Sequence, residues 1–500
     1  MLWTLASAFL AAGPLLFYIY MKYQQTYWRR HGIPTAPGNH WLFGHFKDAV
    51  FMRKSPGLIA TDLYRMADDK DDVLGIYFFH KPFLLVRSPT IAKHILIKDF
   101  TIFPNHYFSA KSMTDKVTSM NLFNIEYPDW KYLRSKLTPV FSSAKVKKLF
   151  ALMLESAETM KEYLASEFAN GVETKSMHPV DLNTKYTTDI ISSLAFGLKT
   201  NSFSDPPPEF YIREGLKLDF TRTLRFFVMF FFPGFGKYVG GEMLGKTTPY
   251  FRKVFWSAMN AREASGAKRG DLIDSLLELK NAEQDTPFKF DGDALLAQSA
   301  IFFVAGRETS IANATFALYE LAKKPEIQQK AREEIIRKLK EHGMTYEGVL
   351  DMKYIFQVMS EAQRLYPAAA IVDRCPVADY KIPDTDIVIK KGTPAYISVQ
   401  GLHLDEKYHP NPYEFDPDRF SHQRKSDIKS CTYLPFGEGP RTCIGMRVGL
   451  LQTAVALITI LMDFQVSIHS INQTVVSPRN IFIVPPNEFK LNFTKLSKAE

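Results

Sequence analysis

The chain has 500 residues, 46% of them hydrophobic and 14% aromatic, which excludes a disordered chain and is enough for the core of one large domain or of two or three ordinary ones. Its three cysteines, Cys375, Cys431 and Cys443, show no C-x-x-C spacing, which excludes a disulfide scaffold and that class of structural zinc site and favours a reducing compartment. Lysine and arginine exceed aspartate and glutamate by 62 to 53, a small excess for this length that fits an acidic partner, an anionic lipid surface or a generally soluble basic surface.

The N-terminus predicts a membrane anchor. Residues 2–21 carry no charged side chain, and a helix of that length matches the roughly 30 Å hydrocarbon core of a bilayer. Lys22, Arg29 and Arg30 follow it and no basic side chain precedes it, so the rest of the chain is expected in the cytosol. A cleaved signal peptide is the alternative, although it usually has a basic start and a shorter apolar stretch. We therefore expect an anchor at residues 1–21, a basic and proline-rich hinge at 22–38, and one domain at 39–500.

The body of the chain predicts a mainly helical fold with a small β region. Two β-prone runs at residues 73–79 and 83–87 are separated by His-Lys-Pro, which indicates a hairpin. A helix is predicted at residues 128–150, and a longer one at 294–324 ends before Pro325 and spans on the order of 45 Å. Further helices are expected at 326–342, 354–365 and 445–464, the last apolar all round and therefore buried, with strands near 387–389 and 394–399.

A short stretch near the C-terminus, PFGEGPRTCIG, carries the chemistry. Phe436, Gly439, Arg441, Cys443 and Gly445 fill the pattern F-x-x-G-x-R-x-C-x-G, so turn formers and a cation surround the cysteine instead of core residues. Glycines let the backbone approach a flat ligand, and the start of the following helix would stabilise a thiolate. A stable thiolate is suited to be an axial iron ligand. An inert buried thiol is the alternative, and a phosphate loop is excluded because threonine stands where a third glycine is needed.

With this motif, the sequence resembles a cytochrome P450, a haem-thiolate monooxygenase of the microsomal, membrane-anchored type, over the whole chain. The resemblance implies a cytochrome P450 fold behind one N-terminal transmembrane helix, haem b as cofactor, Cys443 as the axial iron ligand, and residues 39–500 as the haem-binding catalytic domain.

A second motif, AGRETS at residues 305–310, matches the family pattern [AG]-G-x-[DE]-T-[TS]. The resemblance implies that Gly306 leaves room where a helix passes over the haem face, and that Glu308 and Thr309 are catalytic and deliver protons while dioxygen is reduced. Arg307 departs from the apolar or aromatic residue expected there. It is harmless if it points away from the haem and alters the charge of the pocket if it does not.

Two further motifs match the family. Glu361 and Arg364 form E-x-x-R, whose spacing places both on one helical face, and Arg419 in FDPDRF would complete a structural network that fixes the cysteine loop, with Asp418 in place of the usual glutamate.

Trp130 and Arg134 form W-x-x-x-R on one face of a helix. The resemblance implies that they hold a haem propionate, together with Arg441 and Arg374 as further donors.

The resemblance also implies an apolar pocket that is reached from lipid. By family position its candidate residues are Phe123, Phe302, Ala305, Ala369 and Ile371. Residues 225–235 (RFFVMFFFPGF) are too apolar for a solvated loop and too short to span a membrane. They predict either a core helix or, by resemblance, a loop that enters the bilayer beside the substrate entrance.

We therefore expect an NADPH-driven monooxygenase of the endoplasmic reticulum membrane that faces the cytosol and acts on a small apolar molecule. Electrons would come from a membrane-bound NADPH–cytochrome reductase that docks on the cysteine face through Lys131, Lys136, Arg441 and Arg447, with cytochrome b5 as a second candidate partner and no nucleic acid. The sequences of several segments most resemble those of insect members that act on xenobiotics.

Three alternatives remain open at this point. One is a hydroxylase of an endogenous hormone, steroid or fatty acid. A second is a haem-thiolate isomerase or dehydratase, which tends to lose the acid and threonine pair. A third is a non-enzymatic haem sensor or lipid-binding scaffold.

Overall fold

The computed structural model describes residues 2–107, 115–169, 171–214, 244–282 and 288–497, together with Val228, Phe231, Gly234 and Tyr238. The N-terminal third contains the elements α1 Leu2–Gln24, α2 Tyr27–Arg30, α3 Lys47–Val50, α4 Pro56–Met66, β1 Val73–Phe78, β2 Lys81–Val86, α5 Pro89–Lys93, a π-helix His94–Lys98, α6 Lys116–Ser119, α7 Asp129–Leu137, a 3-10 helix Thr138–Phe141 and α8 Ser143–Glu167.

The middle of the chain is helical apart from one strand. Its elements are β3 Thr174–Met177, α9 Pro179–Phe196, α10 Glu209–Glu214, a 3-10 helix Gly245–Thr247, α11 Thr248–Ser265, α12 Leu272–Asn281, α13 Gly292–Lys323, α14 Pro325–His342, α15 Tyr346–Asp351 and α16 Lys353–Leu365.

The C-terminal part alternates short strands with turns before one long helix. Its elements are β4 Ile371–Arg374, β5 Tyr380–Lys381, β6 Val388–Ile389, β7 Ala395–Ser398, α17 Val399–His403, the 3-10 helices Pro417–Phe420, Lys425–Asp427 and Gly439–Arg441, α18 Met446–Asp463, β8 Phe464–Ile468 and β9 Leu491–Lys495.

The predicted mainly helical fold with a small β region is confirmed. The predicted hairpin is the antiparallel pair β1 and β2, and the long helix α13 has 32 residues. The single helix expected at residues 128–150 is wrong. Proline lacks the backbone N–H that a helix interior needs, and the chain turns into a 3-10 segment that contains Pro139, followed by extended backbone at Ser142, before α8 begins.

The strands form three small sheets. The largest has the order β1, β2, β7, β4, in which β2 and β7 are parallel and the other neighbours are antiparallel. The others have the orders β3, β9, β8 and β5, β6. Leu84 pairs with Ala395 and Ile371 pairs with Ser398, so the largest sheet joins the beginning of the body to its last third.

Helices α8, α9, α13, α16 and α18 enclose the larger hydrophobic core. Helix α13 lies at the centre, since it packs on α9, α16 and α18. Within the described part of the chain, α18 is the helix long and apolar enough to cross a membrane, but most of it is buried in this core, as its sequence predicts. A second core lies between the largest sheet and the N-terminal helices.

The segment that follows α1 is packed on the largest sheet. Trp28 is almost fully buried and donates from its indole to the Ile76 carbonyl at 3.1 Å, while Ala36 donates to the Gly75 carbonyl at 2.9 Å. A Cβ at Gly75 would lie 2.2 Å from the Trp28 ring, so only glycine fits there. Trp28 and Ala36, both within the predicted hinge at residues 22–38, are therefore held against the body.

Two segments are predicted to contact lipid, the helix α1 and the apolar stretch at residues 225–235. The side chains of α1 from Leu15 to Tyr20 are exposed and largely apolar, although insertion of α1 into a bilayer stays a prediction. Most of the apolar stretch at residues 225–235 lies outside the described residues. Within it, Phe231 is buried and stacks on Phe78 with ring centroids 4.1 Å apart.

We expect Trp28→Ala to destabilise the body by about 3–5 kcal/mol, because it removes a large buried side chain next to a glycine that cannot fill the gap. The measurement is thermal unfolding together with limited proteolysis near residue 30. Trp41→Ala is the control, since Trp41 is more than a third exposed, and it should change stability by less than about 1 kcal/mol. Equal effects of the two substitutions would contradict the docking of this segment.

Candidate functional site

The cysteine loop is built by two glycines in the left-handed region. Gly437 and Gly439 have φ of 68° and 75°, and they turn the chain so that the Cys443 N–H donates to the Phe436 carbonyl at 2.9 Å. A Cβ at Gly439 would lie 2.0 Å from the Leu96 carbonyl oxygen. The loop is thus pressed against the π-helix His94–Lys98, where no larger residue fits.

The Cys443 side chain is surrounded by protein atoms but retains accessible surface. Burial raises the pKa of this thiol, while a hydrogen bond from the Gly445 N–H and the charge of Arg134 act in the opposite direction. Cys443 nevertheless keeps accessible surface and forms no disulfide. Because the thiol is desolvated and still accessible, we infer that it faces a hollow inside the protein.

Helix α13 has an open face of its own. Ala305 and Thr309 are exposed, and their i, i+4 spacing places them on one side of the helix. Phe302, Phe303 and Ser310 around them are buried, so the open side is a local gap in the packing of α13. The Thr309 hydroxyl donates to the Ala305 carbonyl at 2.8 Å.

Two contacts bring the cysteine loop and the open face of α13 to the same region of the interior. Gln452 of α18 donates to the Gly306 carbonyl at 2.9 Å and also to the Ser310 hydroxyl. Phe141 packs on Phe302 with ring centroids 5.0 Å apart and lies next to Gly445. No spacing in the sequence marks Gln452, because its partners lie more than a hundred residues away.

Gly306 packs against a neighbouring helix, and its expected place over the haem face stays a prediction. A Cβ at this position would lie 3.0 Å from the Ile191 Cδ1 atom of α9, so the missing side chain lets two helices approach each other. Ala305 is the small residue on the open face instead. The glycine of the motif therefore serves helix packing.

Three arginines, Arg134, Arg441 and Arg374, lie close together beside the cysteine loop. Arg134 donates to the Thr442 carbonyl at 2.9 Å. The Arg441 guanidinium lies 4.4 Å from the centre of the Trp130 ring and donates to the Pro104 and Ile125 carbonyls at 2.6 and 3.1 Å. The sequence predicts Trp130, Arg134 and Arg441 at one site, and the structure places them close to one another.

The cluster is short of negative charge. Burial, with the nearby charge of Arg374, lowers the pKa of Arg441 to about 9, and burial lowers that of Arg374 to about 10. The Arg374 Nε has no hydrogen-bond partner among the described residues. Buried guanidinium groups in this state favour carboxylates as partners.

His106 and Asp373 also belong to this cluster and were missed by sequence reasoning. The His106 Nδ1 lies 2.8 Å from Asp373 Oδ1 and 3.4 Å from Arg374 Nη1, and its ring stacks on Phe123 at 4.4 Å. Burial lowers the pKa of His106 to about 4, so the imidazole is neutral at pH 7. Because 267 residues separate His106 from Asp373, no motif joins them.

A buried ion-pair network lies behind the loop. Both Glu361 and Arg364 are 0% exposed, and the guanidinium grips the carboxylate through two hydrogen bonds of 2.8 and 2.7 Å. Arg419 lies 3.5 Å from the same carboxylate. Arg364 also donates to the His403 carbonyl, and the His403 ring accepts from the Leu434 N–H at 2.7 Å, which links the network to the start of the cysteine loop.

Asp418 takes no part in that network. Its carboxylate pairs with Lys330 on the surface, so its shorter side chain changes nothing at the buried pair.

The proposed pocket residues differ in exposure. Phe123 is 38% exposed and Phe302 is 9% exposed, whereas Ala369 and Ile371 are half-buried. Together with the exposed Ala305, all five have apolar side chains, and their place in one pocket stays a prediction.

One expectation for the cysteine face needs correction. Lys131, Lys136 and Arg447 are exposed, and Arg447 donates to the Ser143 hydroxyl at 2.7 Å. Arg441 is turned inward onto Trp130 and backbone carbonyls, so it is not available to a protein that docks on this surface.

We expect Glu361→Gln to destabilise the protein by about 3–5 kcal/mol, because it leaves the buried Arg364 charge without its partner. The measurement is the thermal unfolding midpoint. Lys330→Gln removes one partner of a half-exposed surface pair and should cost less than about 1 kcal/mol. A Glu361→Gln protein as stable as the Lys330→Gln control would contradict the role of the buried network.

Known proteins are similar to this chain over most of its length. The family model for Cytochrome P450 matches residues 34–493. Cytochrome P450 6k1 of Blattella germanica is 40% identical over 474 residues, which cover 90% of this chain and 88% of that relative. Probable cytochrome P450 6g2 of Drosophila melanogaster is 35% identical over 472 residues, 90% of each chain, and Cytochrome P450 6B2 of Helicoverpa armigera is 32% identical over 491 residues, 95% of each. The chain therefore belongs to the cytochrome P450 family, and is a monooxygenase of the oxidoreductase class.

Proposed function

We propose that this protein is a microsomal monooxygenase that inserts one atom of dioxygen into an apolar xenobiotic, with electrons from NADPH through a reductase. The observation that carries the proposal is the open face of Cys443, in the same region of the interior as the open side of α13 that bears Thr309. Membership of the cytochrome P450 family supports the class of reaction, and the resemblance to insect members that act on xenobiotics supports the substrate class.

The residues present fit haem b. Cys443 offers a thiol with accessible surface, as an axial iron ligand needs. Arg374 is buried, Arg134 and Arg441 are half-buried, and the excess of positive charge among them suits the two propionates of haem. Trp130 and His106 lie in the same cluster. Phe436 and Gly445 hold the loop through the backbone. When bound, haem supplies the site of dioxygen activation and accepts the electrons.

The reaction requires two electrons and two protons for each substrate molecule. A substrate C–H bond, dioxygen, NADPH and a proton give an alcohol, water and NADP⁺. Glu308 and Thr309 are the groups of this chain that we assign to proton movement, since a carboxylate and a hydroxyl at an open helix face can pass protons inward. Thr309 keeps its hydroxyl hydrogen on the Ala305 carbonyl and offers its lone pairs to the hollow.

We place the catalytic domain on the cytosolic side of the endoplasmic reticulum membrane, with α1 as a single anchor. The exposed apolar side chains Leu15, Leu16 and Phe17 support this, because no part of the described body covers them. Substrates would then arrive from lipid. Lys131, Lys136 and Arg447 supply the exposed cations for the reductase, and cytochrome b5 is a second candidate for the same surface.

The alternative functions differ from the proposed one in the substrate that binds and in the need for NADPH as electron donor. An isomerase or dehydratase would convert a hydroperoxide without NADPH, and the Glu308 and Thr309 pair argues against it. Binding spectra with insecticides and plant toxins, compared with steroids and fatty acids, test the substrate class. Tight binding only by a steroid or a fatty acid would replace the xenobiotic role by an endogenous one.

We expect the reduced protein treated with carbon monoxide to show the long-wavelength absorption band of thiolate ligation, and Cys443→Ala to lose it, because alanine has no sulfur ligand. The control is Cys431→Ala, since Cys431 lies in the second core outside the site, and it should keep the band. An unchanged band in Cys443→Ala would overturn the ligand assignment.

We expect Thr309→Ala to divert electrons from product to hydrogen peroxide several-fold, because the hydroxyl no longer assists protonation. The measurement is hydrogen peroxide formed per NADPH consumed. Thr315→Val on the same helix is the matched control, because the Thr315 hydroxyl is buried without a hydrogen-bond partner among the described residues. Full coupling in Thr309→Ala would count against its role in proton delivery.

A further inference from the structure

Arg307 stands inside the AGRETS motif, where an apolar or aromatic residue is expected. The structure buries it, with only 6% of its surface exposed. An arginine at such a depth needs compensation for its charge. Its Nη1 donates to the Oε1 atom of Glu308, which makes an ion pair between two consecutive residues of α13.

The direction of Arg307 follows from the geometry of the helix. Successive residues of an α-helix are about 100° apart around the axis, so Arg307 lies roughly opposite the face that Ala305 and Thr309 share. It is buried against neighbouring elements and does not line the hollow. The departure from the motif therefore adds no charge to the walls of the pocket.

Glu308 lies between these two faces, with Arg307 before it and Thr309 after it. Its side chain is 36% exposed, compared with 8% for that of Arg307. Arg307 binds the Oε1 oxygen, and no hydrogen bond to Oε2 occurs among the described residues. One oxygen of the carboxylate is thus anchored to Arg307, while the side chain as a whole keeps accessible surface.

We propose that Arg307 is a positioning residue that holds the Glu308 carboxylate in the orientation needed for proton delivery. The proposal rests on the role assigned to Glu308 in the proposed function. A free glutamate side chain samples several rotamers, and the ion pair with Arg307 restricts that freedom. Misplacement of a reacting group costs catalysis even when all groups remain present.

The test compares four variants of the full-length protein, reconstituted with a reductase and a fluorogenic alkoxycoumarin as apolar probe. Arg307→Leu removes the cation, Arg307→Lys keeps it, Glu308→Gln removes the carboxylate charge, and the fourth variant combines Arg307→Leu with Glu308→Gln. The measurements are hydrogen peroxide formed per NADPH, the carbon monoxide band, and the thermal unfolding midpoint.

We expect Arg307→Leu to raise the hydrogen peroxide fraction several-fold while it keeps the carbon monoxide band, and Arg307→Lys to restore most of the coupling. Glu308→Gln should uncouple the enzyme by itself, and Arg307→Leu should add nothing in that background. The unfolding midpoints should be non-additive as well, because the pair is lost only once.

Two results would overturn the role of Arg307 alone: wild-type coupling in Arg307→Leu, or an equal increase of hydrogen peroxide when Arg307→Leu is added to Glu308→Gln. The second result would indicate an effect through the packing of α13. A Glu308→Gln enzyme that stays coupled would instead remove Glu308 from the proposed function, and the role of Arg307 with it. Absence of the carbon monoxide band in the unmodified protein would refute the proposed function itself.

Discussion

The buried pair of Glu361 and Arg364 is the interaction on which the rest of the site depends. Two charges at 0% exposure are tolerable only when every oxygen and every N–H has a partner. Arg364 therefore reaches beyond the carboxylate to the carbonyls of His403 and Pro412, and the His403 ring in turn binds the Leu434 N–H. The requirement to satisfy one buried charge thus connects α16, α17 and the approach to the cysteine loop.

The second organising feature is electrostatic imbalance. Arg134, Arg374 and Arg441 lie in a region where burial lowers the pKa values of the last two, and the charge of Arg374 lowers that of Arg441 further. Such a cluster costs free energy in the protein alone. The cost is understandable when the cluster serves to bind the two carboxylates of a cofactor, since the same arginines are then neutralised. Under the proposed function, cofactor binding therefore stabilises this part of the fold.

Much of the site could be predicted because its motifs are local. Glu361 with Arg364, and Trp130 with Arg134, lie within one turn of a helix, so spacing alone places them together. The errors concern directions and distant partners. Arg441 turns inward instead of toward a docking protein, and Pro139 interrupts a helix that periodicity would continue. Gln452, His106 and His403 were missed because their partners are far away in the chain.

The sequence by itself determined the family, the iron-ligating candidate Cys443, the mainly helical class and the proton-delivery candidates, because each depends on residue types within a few positions of one another. The tertiary structure decided which faces of those elements are buried. Packing between segments that are distant in sequence decides which side of α13 is exposed, how deeply Arg307 is buried, and that His106 contacts Asp373. The residues near each of these positions in the sequence carry no information about such contacts.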